Sequence, residues 1–410
     1  MAWSQVYDPA GNWIFSTLLA ALPIFVLLGA LAFLRWRAHR AALAGLGTAL
    51  LAAVAGFGMP PAKGLAAAAF GAAYGLFPIG WIILNVLFLY TLADEKGLLK
   101  VLQEELTGLT RDSRLQLLLI AFCLGAFFEG AAGFGTPVAV TAAILIGLGF
   151  KPLAASGLSL IANTAPVAFG AMGTPIIALA SVTGLDLRSL SAMVGRQLPL
   201  FSLIVPFWLI WAFAGFRGML EVWPALLVAG AAFALPQALV SNLHGPWLVD
   251  IVSSGCSIAA LVAVLKIWRP GRIVLVDGGV EPAERTAGKS SAAPAGAGRA
   301  WRPWIILSLF VFVWGVPQVK SALDRISCPR ISVPGLDKAI LRVPPVVPAP
   351  EPEAAVFSFN WISFTGTSIF LAAVVAGFVM GYRPAGLLRA WFRTLRRVRF
   401  SLLTVAAMLA

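Results

Sequence analysis

Charge is what this 410-residue chain has least of: 11% of its residues are Asp, Glu, Lys or Arg, against roughly 25% in an average soluble domain. Hydrophobic residues make up 60%, and mean hydropathy is +0.90. No soluble core hides that much apolar surface, so the solvent around most of the chain must be lipid. Cysteine is scarce: Cys123, Cys256 and Cys328 lie far apart, which excludes a disulfide framework and any cysteine-based metal spacing. The two histidines, His39 and His244, sit beside a basic loop and beside Gly245-Pro246. Both read as interfacial, and catalytic schemes that need several histidines lose ground.

Acids are outnumbered, 17 against 30 Lys plus Arg, giving a net charge of +13 and a pI near 10.4. Such an excess in a soluble protein would suggest nucleic acid. Here the basic residues form short runs between apolar stretches, and the aromatics lie mostly inside those stretches. The positive-inside bias of a membrane protein accounts for this, so no nucleic-acid partner is expected and membrane lipid is. The expected class is an all-α polytopic membrane protein.

At ~20 residues per span, apolar segments fall at about 13–34, 41–57, 64–93, 115–128, 134–150, 152–182, 197–216, 222–241, 249–267, 303–318 and 358–382. The N-terminus, MAWSQVYDPAGNW, has no basic region and no small-residue cleavage site, and does not read as a removed signal peptide. Residues 1–12 carry no Lys or Arg, whereas Arg35, Arg37 and Arg40 follow the first span. That places the N-terminus outside and the 94–114 segment inside. The linker 266–302, with seven basic residues, and the run 383–399, with six and no acid, are also placed inside. This parity holds if 115–150 is a hairpin that enters and leaves on one face and 152–182 crosses once as a broken helix. Interrupted helices of that kind are how membrane folds build polar sites.

The expected organisation is a first transmembrane bundle at 1–269, a flexible cytoplasmic linker at 270–302 rich in Gly, Ala, Ser and Pro, and the start of a second repeat at 303–410. The Pro-rich stretch 319–357 is expected as an outer loop, partly in polyproline II. The chain ends SLLTVAAMLA, which reads as the opening of a further span and so predicts a truncated form of a longer protein.

The stretch 127–137, FFEGAAGFGTP, carries the most chemical information. Glu129 follows fourteen uncharged residues and is the only acid between Asp112 and Asp186. A carboxylate at membrane depth costs ~2.5–3.5 kcal/mol on insertion scales, and an acid that alternates between neutral and ionised is what proton coupling needs. The alternative is an ordinary solvated Glu at an interfacial helix end.

Gly130, Gly133 and Gly135 permit a tight turn, after which Thr136-Pro137 reads as an N-cap followed by Pro at the first helical position. The same grammar recurs at 163–175, NTAPVAFGAMGTP. Asn163, Thr164 and Pro166 interrupt an apolar run there, and Gly173-Thr174-Pro175 restarts it. Each break is expected to aim a helix N-terminus into the membrane interior, and two such ends facing one cavity form an anion site. A small carboxylate is the natural ligand. The alternative for either motif alone is a packing kink. Arg196 opens a span after an outer loop and reads either as an anion entrance or as a side chain reaching to head groups. Asn85, within WIILNVLFLY, reads as interhelical glue rather than ligand.

Glu129 stands alone as an acid in the apolar stretches. Metal-dependent membrane transferases and aspartyl intramembrane proteases need paired carboxylates, so an enzyme is disfavoured, with no metal and no cofactor expected.

The stretches FEGAAGFGTPVAVTAAILIGLGFKPLAASGL, NTAPVAFGAMGTP, VTGLD and VGRQLP closely resemble the bacterial L-lactate permease family. The likeness runs from YDPAGN (7–12) to VPPVV (343–347) and FNWISFTGT (359–367), essentially the whole chain. The resemblance implies a secondary transporter that imports lactate, and often glycolate, with protons through the bacterial inner membrane. It also implies a fold of two inverted repeats, each with a re-entrant hairpin and a broken helix, and a second half extending past the end of this chain. On that basis the substrate site is expected at Gly133, Gly135, Thr136, Asn163, Thr164, Gly173 and Thr174, proton coupling at Glu129, and an entrance at Arg196. The partners are a small monocarboxylate and a proton, with oligomerisation open. A non-functional or incomplete fragment of such a permease is the remaining alternative.

Overall fold

The computed structural model describes residues 2–131, 133, 136–276, 279–282 and 297–410. The described residues are mostly helical, and helices begin where a cap or a proline precedes an apolar run. Helix α1 (Trp13–Ala32) opens with the Asn12 side chain accepting from the Ile14 N–H at 3.0 Å. Helix α2 (Ala38–Leu51) follows, and α3 (Pro61–Tyr74) has proline at its first position. Extended Phe77 interrupts the run before α4 (Trp81–Glu95), and the short α5 (Leu98–Thr107) comes next. Helix α6 (Ser113–Ala131) is capped by Asp112, and α7 spans Thr136–Gly147.

Helix α8 (Pro152–Asn163) is separated from α9 (Gly170–Thr183) by an irregular stretch. Helix α10 (Leu187–Glu221), capped by Asp186, leads to α11 (Trp223–Leu243) and α12 (Val249–Ile267). The series closes with α13 (Ala297–Gly315), α14 (Pro317–Ile326), α15 (Thr365–Val379) and α16 (Pro384–Leu409). Seven of the described helical runs are long and apolar enough to cross a membrane, or nine if each of two bent pairs counts as one span. One bent pair, Pro152–Asn163 with Val167–Thr183, falls in the 152–182 segment and turns by 69°; the other, Gly298–Gly315 with Pro317–Ile326, turns by 76°.

The chain divides into two compact units. One comprises Met1–Leu84, Ser321–Phe364 and Phe392–Ala410; the other comprises Asn85–Lys320 and Thr365–Trp391. Within the first, the Pro-rich stretch is not simply an extended loop. Strand β1 (Trp3–Ser4) pairs in parallel with Ile340–Arg342, which pairs antiparallel with Glu351–Pro352. Arg330–Ser332 pairs antiparallel with Val356–Ser358. The prolines at 344, 345, 348 and 350 fall in the connection between Ile340–Arg342 and Glu351–Pro352, where no ladder N–H is needed. Leu336, Ile340 and Ala355 form a small core that packs on Trp3, Met59 and Phe70. The basic run 383–399 and the apolar residues after it form the single helix α16, with Pro384 at its first position.

The second unit is built around α6. In its apolar window 94% of the residues are buried inside protein, so this helix is surrounded by other helices. It packs against α7, α8, α9 and α12, while α10, α11 and α12 form successive antiparallel neighbours. A short hairpin, Arg272–Val274 with Val280–Pro282, lies at the start of the 270–302 segment; residues 283–296 of that segment lie outside the described residues.

Candidate functional site

Two helix breaks meet in the second unit. At the end of α6, Gly133 has φ +58°, and its N–H donates to the Phe128 carbonyl at 3.3 Å. A Cβ at 133 would lie 2.8 Å from that of Ala171, so only glycine allows this approach. Across from it, Ala171, Met172 and Gly173 take three successive left-handed conformations, with φ of 44°, 58° and 73°. For the alanine and methionine this costs roughly 1–2 kcal/mol each, and such strain persists only where surrounding structure holds it.

Three contacts do so. The Thr174 hydroxyl donates to the Ala171 carbonyl at 2.5 Å. Pro246, in the turn before α12, fills the space beside Gly173, where a Cβ would meet its ring at 2.5 Å. Gln237 of α11 donates to the Ala165 carbonyl at 3.3 Å and accepts from Ser202 at 2.7 Å. That amide satisfies a backbone oxygen freed by the break, as a non-helical segment at membrane depth requires.

Glu129 lies one turn before the first break, 5% exposed. Its carboxylate packs on Gly170, where any side chain would collide with Oε1, and Asn163 is the side chain positioned to hydrogen-bond it. Oε2 has no partner among the described residues. Beside it stands Asp250, 1% exposed, with neither carboxylate oxygen partnered. A Cβ at Gly130 would lie 2.7 Å from the Asp250 Cβ, so α6 and the start of α12 touch almost backbone to backbone. The Glu129 carboxylate acts on Asp250 electrostatically.

Treating Glu129 as the lone acid of the apolar stretches is therefore corrected: the fold sets a second buried carboxylate beside it. Asp250 escapes a linear reading because it sits in the first turn of a span, just after Gly245-Pro246, where an acid looks interfacial. A signal was present nonetheless. Asp250, Ser253, Ser254 and Ser257 follow i, i+3, i+4, i+7 spacing, a polar stripe on an otherwise apolar helix, and all four are buried.

The structure thus brings Glu129, Gly133, Asn163, Gly173 and Thr174 into one region. Gly135 lies outside the described residues, and Thr136 is described only as the first residue of α7. Thr164 is exposed, and its hydroxyl donates back to the Ile161 carbonyl at 2.7 Å. Arg196 is not brought to this region: its Nε donates to the Asn242 Oδ1 at 3.0 Å, at an open depression shared with Ser189, Met193 and Gln197. Asn85 bonds the Gly366 carbonyl at 3.2 Å and accepts from Trp391 at 3.4 Å, tying α4 to its neighbours. His244 stacks on Phe312 with ring centroids 5.2 Å apart. The three cysteines are free.

The family profile described as L-lactate permease matches residues 16–410. The chain is 42% identical over 414 residues to the L-lactate permease of Escherichia coli (strain K12), an alignment covering 100% of this chain and 75% of that protein. It is 42% identical over 432 residues to the L-lactate permease of Bacillus subtilis (strain 168), covering 99% and 76%. To the glycolate permease GlcA of Escherichia coli (strain K12) it is 41% identical over 431 residues, covering 100% and 76%. No solved structure matches.

Proposed function

The chain belongs to the L-lactate permease family, transporters of bacterial membranes rather than enzymes, and from that premise we propose that it carries L-lactate, with D-lactate and glycolate as further substrates, into the cell together with a proton. The observation that carries this reading is the buried Glu129 with Asn163 beside it, set where the breaks at Gly133 and at 171–173 converge.

The substrate carboxylate sits at the N-terminal ends of α7 and α9, near Gly133, Gly135, Thr136, Gly173 and Thr174, where helix dipoles favour an anion without a full positive charge. Asn163 offers a hydrogen bond to the carboxylate or the 2-hydroxyl, and Thr164, whose own proton goes to the Ile161 carbonyl, accepts from the 2-hydroxyl. Thr174 spends its hydroxyl proton on the Ala171 carbonyl, so it contributes through its backbone and its remaining lone pairs. Glu129 binds the proton when the anion binds. Co-binding makes a neutral pair, which avoids moving net charge through a low-dielectric interior. Arg196, at its open depression, receives the anion from outside.

In this reading 115–150 is a re-entrant hairpin and 152–182 the broken helix of the first inverted repeat, within a bundle spanning 1–269. A linker at 270–302 leads to the second repeat at 303–410, with 319–357 outside. The N-terminus faces outward and the basic segments face the cytoplasm, where 94–114 and 266–302 meet through Arg114 and the Arg272 carbonyl at 2.9 Å.

Uptake of labelled L-lactate in a bacterial strain without its own carriers tests the reading, compared at mildly acidic and neutral pH. Accumulation is expected to rise with the inward proton gradient. Glu129→Gln is expected to retain lactate binding and lose gradient-driven accumulation. Full uptake by that variant with unchanged pH dependence would remove the proton from Glu129.

A further inference from the structure

Among the described residues neither Glu129 nor Asp250 forms an ion pair. Helix α13 reaches Phe127 through Trp301 and Trp304, but its Arg299 and Arg302 are exposed, as are Arg188, Arg196 and Arg217 of α10; Tyr90 of α4 meets Phe128. Helices α7, α8, α9 and α11 contain no Asp, Glu, Lys, Arg or His, and α6 contributes Glu129 and, at its far end, Arg114. Cys123 of α6 faces Ser257 of α12, and Lys266 lies at the other end of α12. His244, in the turn before α12, is engaged with Phe312 and Trp247. The two carboxylates, Asp250 packed on Gly130 and Glu129 on Gly170, are thus enclosed mainly by apolar and neutral polar groups.

Three of their four oxygens have no hydrogen-bond partner among the described residues. The hydroxyl of Ser253, one turn along α12 on the Asp250 face, is fully buried and also unpartnered. A buried polar group without a partner costs about 1–3 kcal/mol, and more if charged. Three carboxylate oxygens and a hydroxyl left without partners on the packed helices α6 and α12 describe a site whose ligand is small and positive.

We propose that Asp250 is the proton-sharing partner of Glu129: the two carboxylates form one buried acid pair that holds a single proton between them, with the Ser253 hydroxyl as a third donor or acceptor. This rests on the proton-coupling role given to Glu129 and extends it to a second residue. Two like-charged groups that interact in a low-dielectric interior do not both ionise at modest cost, so the pair titrates as a unit. When the pair carries its proton, one negative charge remains; release of that proton leaves two, and the transported anion is then repelled from the adjacent helix ends. Proton occupancy and anion occupancy are thereby linked through a pair rather than through one residue.

The test is an infrared titration of the protonated-carboxyl stretch of the whole chain in liposomes. Wild type is expected to show two coupled steps rather than one step of independent groups. Asp250→Asn is expected to displace the remaining Glu129 step by at least tenfold in proton concentration, since coupled sites interact by more than about one pH unit. Glu129→Gln is expected to do the same for Asp250, and Glu129→Gln with Asp250→Asn to remove both bands. An Asp250→Asn trace whose Glu129 step stays within twofold of wild type overturns the pair. So does a single uncoupled step in wild type, which needs no variant to fold.

Replacing sodium by choline is expected to leave the titration in place. A sodium-dependent displacement would make the site a metal-cation site and overturn the proposal. If the pair titrates as expected while Glu129→Gln keeps gradient-driven lactate uptake, the transport role of Glu129 fails and the pair stands. If Asp250→Asn leaves the Glu129 step unmoved while Glu129→Gln abolishes that uptake, the reverse holds.

Discussion

Asp112 and Asp250 are equally hidden, each 1% exposed, at the starts of two helices in the same unit, and their surroundings differ in every other way. Asp112 receives the Arg114 guanidinium twice, at 3.1 and 2.8 Å, the Arg114 N–H at 2.9 Å and the Val274 N–H at 3.2 Å. Arg114 continues to Glu221 at 2.7 Å and to the carbonyls of Gly218 and Arg272 at 3.0 and 2.9 Å. Every lone pair and every N–H has an address, and the result joins the start of α6, the end of α10 and the 272–274 strand. Asp250 has no such partner. A buried charge is tolerated when paired; left unpaired at the same depth, it marks a place where the ligand comes and goes. The two aspartates separate a fastening from a site, although exposure alone would rank them together.

Removing the fastening should have the largest effect. Arg114→Ala leaves Asp112 buried without its counter-ion and is expected to lower stability by about 3–5 kcal/mol, read as loss of folded protein in membranes or a fall in the thermal midpoint in detergent. Asp250→Asn sharpens the contrast: its thermal midpoint should equal or exceed wild type, because the substitution removes an unpartnered buried carboxyl and breaks no ion pair. A loss comparable to that of Arg114→Ala would show that Asp250 is structural.

Gly173→Ala comes next. It places a side chain in left-handed backbone and against Pro246, which is expected to cost about 1–2 kcal/mol from the backbone alone and to reduce lactate uptake. Thr174→Ala removes one hydroxyl bond to the Ala171 carbonyl, a loss of about 1 kcal/mol, so its stability should lie between Gly173→Ala and wild type.

His244 gives the smallest effect. Burial among aromatic neighbours pushes its imidazole below the ordinary histidine value. The folded state therefore binds the proton less readily than the unfolded chain. Its contribution to stability is complete above the unfolded value of about 6.5 and declines as pH falls below it. The thermal midpoint of wild type should drop modestly on acidification, and the drop should be smaller in His244→Asn.

The spans were legible because lipid imposes a length and a composition that a linear window can see. The interruption at 163–175 was legible for a related reason: Asn, Thr and Pro in an apolar run cannot continue a membrane helix unsatisfied. What satisfies that break was not legible. Gln237 lies 72 residues from Ala165, whose carbonyl it meets, and nothing local in WPALLVAGAAFALPQALVSNL marks it for that role. The Pro-rich stretch invited an extended reading, yet Ile340–Arg342 finds a ladder with Trp3–Ser4, more than 330 residues away in sequence. In the 94–114 segment Arg114 is one of four basic residues among five acids, and only its position under the end of α10 makes it a buried hub.

By itself, the sequence determined the solvent, the apolar runs, the break at 163–175 and the membership of a transporter family. Each of these follows from local composition or from motifs that survive as linear strings. The interruption at Phe77 and the 76° bend after Gly315 came only with the structure. The tertiary structure alone decided that α6 is enclosed by protein while α1, with higher hydropathy, has only 11% of its window buried. It also decided that Asp250 packs on Gly130, the neighbour of Glu129, and that Pro246 fills the space beside Gly173. Those are contacts between residues 70 to 120 positions apart, and the energy of a buried charge depends on who stands beside it, which no single segment records.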